Sequence, residues 1–180
     1  MKKLISLMVL GIFFLASVAL AQPEGKKWEL GLGFDYSSIK SSGSSEAFDI
    51  LTIPLRIGRY VWKGLEVEPE LFLMKVEDSD LGYLFNLNGV YNFKTSKPFR
   101  PFLLAGIGIT NGIKIGYLME ADNEINGFVI NAGAGLKYLI GNSAAIRFEY
   151  RYMHNRLKDN EGYTENFNSH QFLIGASIFF

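Results

Sequence analysis

Several residues in this chain are spaced so that they could do chemistry. Glu66, Glu68 and Glu70 stand at alternate positions, as do Arg147, Glu149 and Arg151. In extended backbone each set shares one face of a strand, where carboxylates and guanidiniums can meet in charge-assisted pairs. Arg156 and Lys158 follow at the same spacing on the opposite parity. A guanidinium fork matches a phosphate group bidentately, so this second face suits a phosphate-bearing lipid. The two histidines, His154 and His170, belong to the same stretch. His154 could act as a general base, or both rings could sit at a membrane boundary as amphipathic belt residues.

Other chemistries are absent from the sequence. Cysteine does not occur, which excludes a disulfide framework, a thiolate metal site, a Cys nucleophile and a lipoprotein anchor. No metal-ligand spacing, phosphate-cradling glycine loop or cofactor motif is present, so neither a metal nor a cofactor is expected. Gly106-Ile107-Gly108 and Gly133-Ala134-Gly135 read as strand glycines.

The elements that must position these groups are strands. Residues 1–21 read as a secretion signal: Lys2 and Lys3, an apolar run from Leu4 to Leu20, then Ala19-Leu20-Ala21 before Gln22. Residues 22–180 are then one domain, with 16 basic residues against 18 acidic, a net charge of about −2. That balance implies no nucleic-acid partner. The domain alternates apolar and polar residues nearly throughout, with no sustained helical period. Eight segments show it, from Trp28-Leu30-Leu32-Phe34 against Glu29-Gly31-Gly33-Asp35 to a last one with Phe172, Ile174, Ala176, Ile178 and Phe180 on one face. Short links are expected at Tyr60 to Gly64, Lys94 to Pro98 and Leu139 to Ser143. Mostly longer polar loops are expected at Ser37 to Ala47, Val76 to Gly82, Asn111 to Asn126 and Asn155 to Ser169, with a low-complexity run at Ser41 to Ser45. The predicted fold is all-β: an eight-stranded antiparallel up-and-down transmembrane β-barrel with both termini at the short-link end.

The sign of the alternation separates a membrane barrel from a soluble one. Large aromatics sit at strand ends on the apolar parity, where interfacial girdles belong: Tyr36, Tyr60, Trp62, Tyr83, Tyr91, Phe93, Tyr138 and Tyr152. The opposite parity is rich in glycine, as a narrow crowded bore requires. The predicted location is the outer membrane of a Gram-negative cell, as a monomer, with outer-membrane lipid and lipopolysaccharide as nearest partners. Phe180 closes an apolar alternating strand and resembles the carboxyl-terminal signal read by the barrel assembly machinery.

Parity places Glu29, Asp35, Glu66, Glu68, Glu70 and Glu149 inside with Arg56, Lys137, Arg147 and Arg151. Strands three and seven face each other across an eight-membered ring, so the glutamate ladder is expected to reach Arg147 and Arg151. An ion-paired plug is the preferred reading, because eight strands leave an interior that side chains fill. A gated, cation-preferring pore is the alternative.

The segment Glu149 to Phe180, with GLEVEPELFLM (Gly64 to Met74), GVYNF (Gly89 to Phe93) and PFLLAGIGI (Pro101 to Ile109), resembles the lipid A deacylase family, the PagL-like acyloxyacyl hydrolases. The same glycine-rich strands resemble the small outer-membrane barrels of the OmpA-like and OmpX-like kind. The deacylase resemblance implies a lipid-facing triad of a His, a Ser two residues later and an acid fourteen residues after the His. The matching positions here are His154, Arg156 and Asn168. Arg156 offers no nucleophilic oxygen and Asn168 no anionic orienting group. Recruiting Ser169 and Glu165 would need another alignment, and Ser169 has the wrong parity. The sequence therefore points first to a non-enzymatic barrel acting in envelope integrity or surface and lipopolysaccharide interaction. A deacylase-like hydrolase built on His154 comes second, and a small channel third.

Overall fold

The computed structural model describes residues 26–40, 47–76, 81–95, 98–111, 126–158 and 164–180. The expected signal segment 1–21 and the serine-rich run 41–45 lie outside the described residues. Eight strands follow one another in chain order: β1 (Trp28–Lys40), β2 (Ala47–Trp62), β3 (Leu65–Val76), β4 (Leu81–Asn92), β5 (Phe99–Asn111), β6 (Asn126–Ile140), β7 (Ala144–Lys158) and β8 (Thr164–Phe179). Each pairs antiparallel with the next, and β8 pairs with β1 to close the barrel. Closure pairs the first and last strands over Glu29–Phe34 and Ile174–Phe179, as a strand-built wall standing in hydrocarbon requires.

The seam between β1 and β8 runs from Glu29 opposite Phe179 to Phe34 opposite Ile174. Backbone bonds extend it at the terminus. Trp28 N donates to Phe180 O at 3.0 Å and Phe180 N returns a bond to Trp28 O at 3.0 Å. Phe180 thereby lies in register on the outer wall, half exposed. The tight turns use glycine where the backbone needs it: Gly64 has φ 83° between β2 and β3, and Gly141 has φ 60° between β6 and β7.

Apolar side chains face outward on every strand. Leu30, Leu55, Phe85, Ile107, Ile130, Phe148 and Ile174 are exposed, whereas their chain neighbours Glu29, Arg56, Asn86, Asn131, Arg147 and Glu149 are buried inside. A water-soluble surface does not carry an apolar band of this extent. The girdle positions Trp62, Tyr83, Tyr91, Phe93, Tyr138 and Tyr152 are outward and exposed, while the Tyr36 side chain lies outside the described ones.

Two expectations require correction. Tyr60 does not join the girdle: it shares the inner parity of Arg56 and Gly58, and its hydroxyl donates to Glu29 Oε2 at 2.9 Å. A register shift between Tyr60 and Trp62 then puts Trp62 outside. Secondly, the long loop expected from Asn155 to Ser169 is mostly strand. The β7–β8 ladder continues unbroken to Lys158 opposite Thr164. Alternation persists there with its sign reversed, Met153 and Leu157 buried inward and His154, Arg156 and Lys158 exposed outward, and this reversal hides the strand in the sequence.

Candidate functional site

Polar side chains gather in two arrangements, a network inside the bore and a stripe on the outer wall.

The bore network is positioned by the pleat. Glu66, Glu68 and Glu70 on β3 point inward, opposite the inward Arg147, Glu149 and Arg151 on β7. Arg147 crosses to Glu68, with Nη1 to Oε2 at 2.5 Å and Nη2 to Oε1 at 3.2 Å. Arg151 makes the equivalent two-armed pair with Glu70. Glu149 sits between the two arginines and pairs with Arg147 Nη2 at 2.8 Å and Arg151 Nη2 at 2.5 Å, while Arg56 Nη2 approaches it at 3.5 Å as an ion pair without a hydrogen bond. Arg56 Nε also donates to Glu70 Oε1 at 2.6 Å, and Asn88 Nδ2 to Glu70 Oε2 at 3.0 Å. Toward the short-turn end, Lys137 Nζ bridges Glu29 Oε2 at 2.6 Å and Glu66 Oε2 at 3.2 Å. Asn92 Nδ2 adds a bond to Glu66 at 3.0 Å.

These charges are fully withdrawn from solvent: Glu68, Lys137 and Arg151 are each 0% exposed. An isolated charge so placed would cost several kcal/mol, so mutual pairing is a requirement of the fold. The carboxylate of Glu66 also packs directly over Gly58, where any Cβ would collide with it. Asp35, inside by parity, stands apart from the network, and its Oδ2 accepts no hydrogen bond among the described residues.

Aromatic and aliphatic side chains complete the filling. Arg151 lies over the Phe72 ring at 5.0 Å, and Arg147 over the Phe102 ring at 4.5 Å. Phe72, Leu84, Val129, Met153 and Leu173 form an apolar cluster joined by Met74. Phe72 and Met153 stand one inward position beyond Glu70 and Arg151, on the long-loop side. Alternation carried past Glu70 puts Phe72 inside, and this was the available signal. The expectation of polar inward positions hides that signal. The carboxylate oxygens of Glu29, Glu66 and Glu68 also lie within 4.8 Å of one another, a grouping across strands that no sequence spacing marks. Lys137 supplies the cation to two of these three.

The outer stripe belongs to β7 and β8 near their loop end. Residues of one parity oppose one another as Tyr150–Phe172, Tyr152–His170, His154–Asn168, Arg156–Asn166 and Lys158–Thr164. His154 Nδ1 and Asn168 Oδ1 are 2.8 Å apart, and the Tyr150 hydroxyl and His170 Nδ1 are 2.6 Å apart. His170 stacks against Tyr150 at 6.0 Å between centroids. The order along the wall is therefore aromatic belt, imidazoles, then Arg156 and Lys158, both exposed. No ion pair holds either cation to another described residue.

The triad positions implied by the deacylase resemblance are thus partly brought together. His154 meets Asn168, and Arg156 occupies the next pair along. The outward pairs flanking His154–Asn168 are Tyr152–His170 and Arg156–Asn166, neither of which holds a serine. Ser169 Oγ accepts from Asn155 Nδ2 at 3.3 Å. Asn155 is buried on the inner parity, so the wall of the barrel stands between that hydroxyl and His154.

Comparison with known proteins agrees with this architecture. The family model described as "Outer membrane protein beta-barrel domain" matches residues 5–180. Among solved structures, the chain is similar to Neisserial surface protein A (NspA), with a TM-score of 0.66 and 16% identity over 85% of this chain and 97% of that one. It is also similar to the N-terminal β-barrel domain of Pseudomonas aeruginosa OprF, with a TM-score of 0.60 and 18% identity over 87% of this chain and 100% of that one. No curated protein sequence matches it.

Proposed function

This chain belongs to the outer-membrane β-barrel domain family and resides in the outer membrane, and from that premise we propose that its working surface is the outer wall, where the β7–β8 stripe engages lipopolysaccharide and so contributes to envelope integrity. The observation that carries this reading is the exposed pair Arg156 and Lys158, outward and set directly beyond an aromatic and histidine belt. Two positions along a strand are about 7 Å apart, so the two cations present a double anchor at the depth of lipid phosphates. Guanidinium-to-phosphate bonding is charge-assisted and bidentate. The interior offers no comparable surface, because Arg56, Lys137, Arg147 and Arg151 are each paired with carboxylates there.

A hydrolytic role is the weaker reading, since it needs a nucleophile that the outward pairs around His154 do not hold. The filled bore likewise argues against conduction. Phe180, outward at the last position of the seam, is the residue through which we expect the assembly machinery to recognise the chain.

The test is lipid co-purification. The double variant Arg156→Glu, Lys158→Glu, extracted in mild detergent, should carry several-fold less lipopolysaccharide than the unaltered protein. An unchanged lipid content overturns the reading. Mass spectrometry of lipid A from cells with and without the protein separates the hydrolytic alternative: no protein-dependent change is expected, and loss of one acyl chain would put His154 in an active site.

A further inference from the structure

The short-turn end of the barrel carries a second, oppositely placed charged surface. Lys27, Arg59, Lys63 and Lys94 are all exposed there. Every acidic side chain described in the structure is buried in the bore, so no exposed Asp or Glu among the described residues answers these cations. The sequence makes the asymmetry sharper: the segments 41–46, 77–80, 112–125 and 159–163, which join the strands at the other end, hold nine acidic residues and one lysine.

Depth decides what the basic rim faces. Arg59 continues the outward parity of Ile57, and its guanidinium lies over the Trp28 ring at 5.2 Å from the centroid. Trp28 and Arg59 are direct partners in the β1–β2 ladder. Trp62, the last residue of β2, is 70% exposed. Cations set among outward-facing indoles lie at the interface between hydrocarbon and headgroups, where lysine and arginine stems snorkel to phosphate level. Arg59 stands on the wall itself, and Lys63, in the turn one residue past Trp62, has the four-carbon stem to reach the same phosphate level. The short-turn end of an outer-membrane barrel is the periplasmic one, and phosphodiesters of the inner leaflet are the anions present at that depth.

We propose that this rim binds anionic phospholipids of the periplasmic leaflet, with Arg59 and Lys63 gripping the phosphates and Trp28 fixing the depth. The site lies at the opposite end from the lipopolysaccharide stripe and does not depend on it. Such a rim would give the protein a phosphate anchor in the inner leaflet and fix its vertical position in the bilayer.

Native mass spectrometry tests it on the full mature chain, released from nanodiscs of phosphatidylethanolamine and phosphatidylglycerol in equal parts. Phosphatidylglycerol should be retained preferentially, and Arg59→Gln with Lys63→Gln should reduce that preference by roughly fivefold per charge removed. Heat-modifiable gel mobility reports whether each variant is folded, and Lys94→Gln serves as a milder second variant should the pair fold poorly. Equal retention of the two lipids by the unaltered protein overturns the proposal, as does a preference that the variants leave unchanged. Sedimentation with isolated peptidoglycan is the competing arm. Binding there that depends on Arg59 and Lys63, without any lipid preference, would assign the rim to the cell wall and refute the lipid site.

Discussion

Arg147 and Glu68, 79 residues apart in sequence, meet head-on across the bore, both guanidinium Nη atoms engaging both carboxylate oxygens. The pair spans from β7 to β3, so it ties opposite walls of the barrel rather than neighbours. Arg147 Nε and Nη2 are also turned to Glu149, so one guanidinium serves two carboxylates.

Removing that guanidinium should therefore be costly. Arg147→Ala leaves Glu68 buried without its cation and strips Glu149 of one of three, and breaking a buried pair in this way costs about 3–5 kcal/mol. Equilibrium unfolding by urea in lipid vesicles is the measurement. Replacing both ends with apolar residues, Arg147→Met with Glu68→Leu, should recover part of the loss, because no charge of that pair is then stranded. An unchanged midpoint for Arg147→Ala would show that the pair is hydrated.

The bore should not conduct. Ion pairs from five strands interlock within it, and the Phe72 to Met153 cluster lies beyond them on the loop side. Planar bilayers containing the purified protein should show no stable single-channel steps. A reproducible current in the unaltered protein would mean that the network opens, and Phe72→Ala would then be expected to raise it.

Tight packing of the bore predicts an asymmetry between glycines. A Cβ at Gly135 would strike the Phe102 ring and the Phe148 carbonyl oxygen, whereas one at Gly141 meets nothing within 4 Å. Gly135→Ala should destabilise by about 1–3 kcal/mol through overpacking. Gly141→Ala should cost only the strain of its positive φ, about 1 kcal/mol. Equal effects in the same urea titration would contradict the packing described.

The fold was legible because a strand's side chains alternate with a period of two, so a handful of residues such as Val67 between Glu66 and Glu68 fix the face of a whole strand. The partners of Glu68 and Glu70 were legible for the same reason, together with the geometry of an eight-membered ring. Tyr60 was misplaced because a tyrosine near a strand end looks like a girdle residue whichever way it points. Only the shift between Tyr60 and Trp62, a tertiary feature, lets both be accommodated on opposite faces. The upper reach of β7 and β8 reads as loop in the sequence, since the outward His154, Arg156, Asn166 and Asn168 are polar and the apolar face of the lower strands is lost there. There the ladder is held by backbone pairing and by contacts such as His154 with Asn168. Outward parity for Arg156 and its place just above the outer belt are readable in the sequence; that His170 lies opposite Tyr152 in that belt needs the register.

The claim that the outer wall of β7 and β8 meets lipopolysaccharide is tested most directly by photo-crosslinking in living cells. A benzophenone amino acid at Asn166, outward and opposite Arg156, leaves both cations in place. It should yield an adduct that carries lipopolysaccharide, and the same probe at Lys63 on the periplasmic turn should not. Failure to form that adduct at Asn166, or adducts of equal yield at both positions, would contradict the account.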